Sequence, residues 1–181
     1  KDWVRPNLDK GDPFFLVVID NLRYDQWKVI QPEIEKYFSL EDDRTYWSIL
    51  PSATQFARNA LFAGLMPSEI KKRFPDKWVE DNEDDEGKNN YEKDFFADNL
   101  QRLGFGSLNM GYEKVTNHNY GKKLSDNLSN LLTNDVNVLV YNFVDMLSHA
   151  KTDMKVIREL ADNDKAYRSL TLSWFRNSPL L

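Results

Sequence analysis

The chain has no cysteine. Disulfides, zinc–thiolate centres and thiol catalysis are thereby excluded, and a reducing compartment, the cytoplasm, is expected. Long apolar runs are missing as well: none approaches the roughly 20 residues a membrane-spanning helix needs, and the opening Lys1-Asp2-Trp3 lacks a signal-peptide pattern. Positive charge is in deficit, with 24 Lys and Arg against 29 Asp and Glu and a formal net charge of −5. That balance excludes a broad nucleic-acid-coating surface. It leaves a phosphate substrate open, because carboxylate-bound divalent cations can supply a local positive field. Histidine is scarce, His118 and His149 being the only two.

What is present suits one globular domain. The 181 residues are 41 % hydrophobic, 29 % charged and 13 % aromatic, enough for a sizeable core. Phe14-Phe15-Leu16-Val17-Val18-Ile19 is a continuous apolar run that reads as a strand buried on both faces, with Asp20 at its carboxyl end. A helix is expected around Tyr24–Ile30, with Pro32 opening a further short helix. Arg44–Leu50 reads as a strand, and Gln55–Leu65 as a helix ending near Gly64.

Residues 76–90 are polar and acidic, an expected solvated loop without EF-hand ligand spacing. Asp94–Leu103 should be a helix burying Phe95, Phe96, Leu100 and Leu103. Phe105–Met110 follows as a short strand, Lys122–Leu132 as an amphipathic helix, and Val136–Val144 as a second buried strand delivering Asp145. The tail Lys155–Arg176 reads as helical. Strands alternating with helices predict an α/β fold with a mostly parallel central sheet, in which ligands bind beyond the carboxyl ends of the strands.

Four residues stand where chemistry is expected. Asp145 and His149, four apart, can face one ion on a helix; the alternative is a capping Asp and a surface His. Asp20 is either a helix N-cap or a metal ligand on a rigid strand end. Thr54 is either an N-cap or a hydroxyl held among free backbone N–H groups, a place suited to an alkoxide or a phosphate. Arg58, one helical turn on, is a candidate for a phosphoryl oxygen, against the alternative of a solvated surface arginine. His118 reads as a loop residue outside any metal motif.

Three stretches, Val17–Arg23, Leu50–Ala60 and Tyr141–His149, taken in this order resemble the alkaline phosphatase superfamily. The resemblance is closer to its PglZ branch, and within that to PorX-type response regulators of type 9 secretion. It implies an alkaline-phosphatase-like fold with two divalent metal ions, zinc by preference. Asp20 and Thr54 would hold one ion, with Thr54 the attacking group; Asp145 and His149 would hold the other. Asn21 and Arg58 would contact substrate. The implied activity is phosphohydrolase, phosphodiesterase-like and directed at nucleotides, in the output domain of a two-component regulator. Implied partners are a sensor kinase, a sigma factor and a second copy as homodimer.

The family pattern also has a later Asp-His pair and a further His, which this sequence lacks. On that reading residues 1–10 end an upstream linker, residues 11–181 are the N-terminal portion of the domain, truncated at its C-terminus, and this piece alone has little activity. The competing class is a regulatory or protein-interaction domain that keeps the fold without catalysis. A receiver domain is disfavoured because Asn21, not an acid, follows Asp20, and a dinucleotide fold because no Gly-rich turn follows Ile19.

Overall fold

The computed structural model of the chain describes residues 4–79 and 87–179, with the side chains of residues 54 and 151–153 outside that description. In chain order the elements are α1 (Val4–Leu8), β1 (Phe14–Ile19), α2 (Tyr24–Ile34), α3 (Thr54–Ala63), α4 (Pro67–Arg73), a 3₁₀ turn (Pro75–Lys77), α5 (Glu92–Arg102), β2 (Met110–Val115), α6 (His118–Asp126), α7 (Leu128–Leu131), β3 (Val136–Tyr141), α8 (Phe143–Asp153), α9 (Lys155–Leu160) and α10 (Asp164–Asn177). They fall into two compact units. One combines the residues up to Asp12 with Arg44–Met110, and the other combines Pro13–Asp43 with the residues from Gly111 onward.

The second unit is built on three parallel strands in the order β1-β3-β2. β1 and β3 pair in full register from Phe14 opposite Val136 to Ile19 opposite Tyr141. β3 is central and buried at all six positions, which is what Val-Asn-Val-Leu-Val-Tyr demands of a strand covered on both faces. Its one polar residue, Asn137, is fully buried and paired: Nδ2 donates to the Leu131 carbonyl (2.7 Å) and Oδ1 accepts from Asn134 (2.9 Å). Gly111 of β2 passes so close that a Cβ there would lie 2.6 Å from Asn134 Nδ2 and 2.7 Å from Asn137 Oδ1, so a larger residue would have to displace that hydrogen-bonded pair. Val115, Leu131, Leu139 and Tyr141 form the core on one side, closed by Trp174 of α10, whose indole stacks on Phe143 at 4.8 Å.

The first unit is helical. Its centre is α3 against α5, with Phe62 edge-on to Phe96 at 6.0 Å. α3 stops where Gly64 takes a left-handed φ of 60°, the expected glycine terminus. α5 starts two residues before its expected beginning and buries Phe95, Phe96 and Leu100 as read from the sequence, with Leu103 half-buried at its end.

Several expectations are corrected. Phe14–Ile19 is an edge strand rather than a strand buried on both faces, with Val17 41 % exposed. Arg44–Leu50 forms no strand: with no neighbouring strand to complete a ladder, its apolar residues stay out in solvent, Trp47 at 99 %. Pro32 sits inside α2 instead of starting a helix, close enough to its end to forfeit little of the hydrogen-bond ladder. The strand expected at Phe105–Met110 begins at Met110, after the turns that follow α5. Lys122–Leu132 is two short helices broken at Asn127, and β3 ends at Tyr141, with Phe143 and Val144 already helical. His118 opens α6 rather than lying in a loop; Asn117 caps that helix by accepting from Tyr120 N at 2.9 Å. Of the acidic stretch, residues 80–86 lie outside the described residues, while Pro75–Lys77 and the turn at 87–90 flank them.

Candidate functional site at the carboxyl edge of the sheet

Parallel pairing decides where Asp20 goes. Its N–H continues the β1–β3 ladder, donating to the Tyr141 carbonyl at 2.9 Å. Asp20 and Asn142 therefore leave neighbouring strands at the same edge. The chain turns immediately through Asn21, whose φ of 57° is left-handed, a conformation asparagine tolerates better than other residues with a Cβ. Asp20 is not the cap of α2; Arg23 occupies that place.

Asp145 lies in the first turn of α8, where its charge favours the helix dipole. One turn further, His149 brings Nε2 to 3.6 Å from Asp145 Oδ1, with the imidazole 72 % and the carboxylate 26 % exposed. The two side chains thus share one face and one direction, as their spacing of four predicted. Tyr141, at the strand end, has its phenol pushed up to about 12 by burial, offset in part by Ser178. It stays protonated at neutral pH and is no candidate base.

Asn142 caps α8 by position only. Its backbone (φ −97°, ψ 4°) differs from that of the capping Asn117 and Asn163, its side chain makes no cap bond, and its Oδ1 is enclosed without a partner. Nothing in the sequence around Asn142 marks it for a role.

In the first unit Thr54 is the first residue of α3, with Ala53 at the N-cap. Arg58 is not on the surface, the alternative weighed for it. It is 5 % exposed and paired with the fully buried Glu92 through two hydrogen bonds, one of them 3.0 Å from Nη2 to Oε2. Glu92 was missed because its place, just ahead of Phe95 and Phe96, reads as the polar start of an amphipathic helix.

A tetrahedral zinc centre needs three or four protein donors. Among the described residues no group of three or more His, Asp or Glu side chains is placed to hold an ion, and Asp145 with His149 supplies two donors. The donor set falls short of a complete metal centre.

Three parallel strands in an open sheet flanked by helices are consistent with an alkaline-phosphatase-like α/β fold. The family model described as the BREX system PglZ alkaline phosphatase-like domain matches residues 1–176, and the chain belongs to the PglZ family. No curated protein matches it. No helix among the described residues is long and apolar enough to cross a membrane.

Proposed function

We propose that the chain carries part of a phosphohydrolase site, phosphodiesterase-like, in which Thr54 is the attacking group. The observation that carries this reading is that Asp20 and the segment leading into the helix of the Asp145–His149 pair leave neighbouring strands at one sheet edge, in a chain of an alkaline-phosphatase-like family. Thr54 stands at a helix N-terminus, where backbone N–H groups and the dipole favour an alkoxide or a phosphate. Its Oγ1 would form a bond to phosphorus as the bond to the leaving oxygen breaks, and water would then cleave the phosphothreonine. Asp20, Asp145 and His149 are the chain's contribution of donors toward divalent cations, two zinc ions by the family resemblance. Further ligands are needed to complete either site.

The narrower setting, a two-component output domain of the PorX type with a sensor kinase and a sigma factor as partners, is proposed on the resemblance of the three stretches alone. The non-catalytic reading is favoured by one observation, the donor set of two. Hydrolysis of bis(p-nitrophenyl) phosphate by the full-length protein, with its metal content measured alongside, separates the two. Thr54→Val should abolish turnover; unchanged turnover removes Thr54 as nucleophile.

A further inference from the structure

Helices α3 and α5 lie side by side with their partners advancing together: Arg58 meets Glu92, Phe62 meets Phe96, and the Ala63 carbonyl meets Arg102. The two helices therefore run in the same direction, and both begin at the same end of the pair. At the far end the polar contacts have a structural use. Asn99 Nδ2 donates to the Phe62 carbonyl at 3.0 Å and Arg102 donates to that of Ala63, so α5 satisfies carbonyls that the end of α3 leaves open.

The contact nearer the start answers no such need. Arg58 and Glu92 bond side chain to side chain, through Nε to Oε1 and through Nη2 to Oε2 at 3.0 Å, with 5 % and 0 % of the side chains exposed. Enclosing two charges gains little stability, because desolvation offsets their attraction, and apolar side chains of the same volume would hold the helices together as well. What a guanidinium–carboxylate fork adds is geometry: two parallel bonds fix both distance and orientation. Glu92 is a firm anchor, being the first residue of α5, where its charge suits the helix dipole. One turn back from Arg58, on the same face of α3, is Thr54, the first residue of its helix. No side chain caps that start, since Ala53 has no group that could. Asn59, beside Arg58, adds a bond from Nδ2 to the Lys88 carbonyl at 2.9 Å. The first turn of α3 is thus held from its second turn, through the fork.

We infer that Arg58 and Glu92 are positioning residues, which fix the first turn of α3 and with it the backbone that carries the attacking Thr54 hydroxyl. This role rests on the phosphohydrolase reading and replaces the substrate contact expected of Arg58. The test is steady-state hydrolysis of bis(p-nitrophenyl) phosphate by the full-length protein, with urea denaturation of each variant alongside. Arg58→Met with Glu92→Leu should keep stability close to wild type yet lose about 100-fold in kcat at unchanged KM, the scale of a nucleophile misplaced by about 1 Å. Arg58→Lys, which keeps the charge and loses the fork, should fold and lose about tenfold in kcat, part of the same misplacement.

Wild-type kcat in the double variant overturns the inference; if that variant does not fold, wild-type kcat in Arg58→Lys overturns it. A rise in KM at unchanged kcat in Arg58→Lys puts Arg58 on the substrate and overturns it as well. Thr54→Val separates the two readings: turnover lost there and kept in the double variant removes the positioning role alone. Turnover kept in Thr54→Val, or absent from wild type, removes the nucleophile and the positioning role with it.

Discussion

Two buried glutamines, each in the first turn of a helix, are treated in opposite ways by the two units. Gln26 in α2 is fully enclosed and has both ends of its carboxamide occupied, while Gln55 in α3 is almost as buried and has neither. The contrast extends to their surroundings. In the sheet unit Gln26, Thr171 and Asn137 find partners, with Asn142 Oδ1 an exception, and Thr171 passes the chain of hydrogen bonds on to the Tyr167 carbonyl at 2.9 Å. In the helical unit Asn59 and Trp78 join Gln55 with orphaned atoms, and the charge of Arg58 is enclosed with Glu92. Satisfied polar groups specify how α2 and α10 pack. Unsatisfied ones cost stability and so mark places where packing alone did not choose the residue.

The largest expected effect tests the enclosed charge pair. Arg58→Ala removes the guanidinium against which Glu92 is buried and should lower unfolding free energy by about 3–5 kcal/mol in urea denaturation. Replacing both, as Arg58→Met with Glu92→Leu, should recover most of that loss, because two apolar side chains need no desolvation. A double variant as unstable as the single would show that the pair is not what makes this region sensitive.

A smaller effect is expected across the sheet unit. Gln26→Leu removes the acceptor of the Arg23 N–H and the donor to Thr171 Oγ1, which keeps its bond to the Tyr167 carbonyl, and should cost about 1–3 kcal/mol. Gln55→Leu, the same change in the other unit, should cost nothing or stabilise. Equal losses at the two positions would erase the contrast between the units.

How much of this was legible beforehand follows from range. Both acids of the sheet edge, the β3 strand and the Gly64 stop were readable because each depends on neighbours within a few residues: an apolar run, its terminating acid, a glycine where φ must be positive. What failed depends on partners distant in sequence. Phe14–Ile19 and Arg44–Leu50 both read as strands, yet one has β3 to pair with and the other has no strand beside it among the described residues. Arg58 was misjudged because Glu92, 34 residues on, decides whether its charge can be enclosed. Gln55 and Asn142 were overlooked because an unmade hydrogen bond leaves no mark on sequence.

Asn21 separates a backbone role from a contact at the sheet edge. Its left-handed φ of 57° is open to glycine and strained for alanine. Asn21→Ala should therefore cost about 1 kcal/mol and Asn21→Gly close to nothing. If Asn21 also touches substrate, Asn21→Gly raises KM for bis(p-nitrophenyl) phosphate at unchanged stability; an unaltered KM confines its role to the turn.

The smallest effect concerns the ion cluster beside that turn. Arg23 holds Asp25 through Nε (2.9 Å) and Nη2 (2.6 Å), reaches Asp164 at 2.9 Å, and Asp25 also accepts from Arg168 at 3.0 Å. The Arg23 hydrogen bonds keep the Asp25 carboxyl well below its ordinary range against the opposing cost of burial, with Arg168 adding to them. A carboxyl depressed in the folded state stabilises above the unfolded value near 3.9, and that contribution fades as pH falls through the lower folded value. The carboxylate is 36 % exposed, so solvent screening keeps its worth below about 1 kcal/mol. Wild type should thus exceed Asp25→Asn slightly in thermal midpoint at pH 7, and the two should converge as the medium is acidified well below pH 4 or brought to about 1 M salt. A gap that persists in acid and in salt would locate the contribution of Asp25 in packing rather than in its charge.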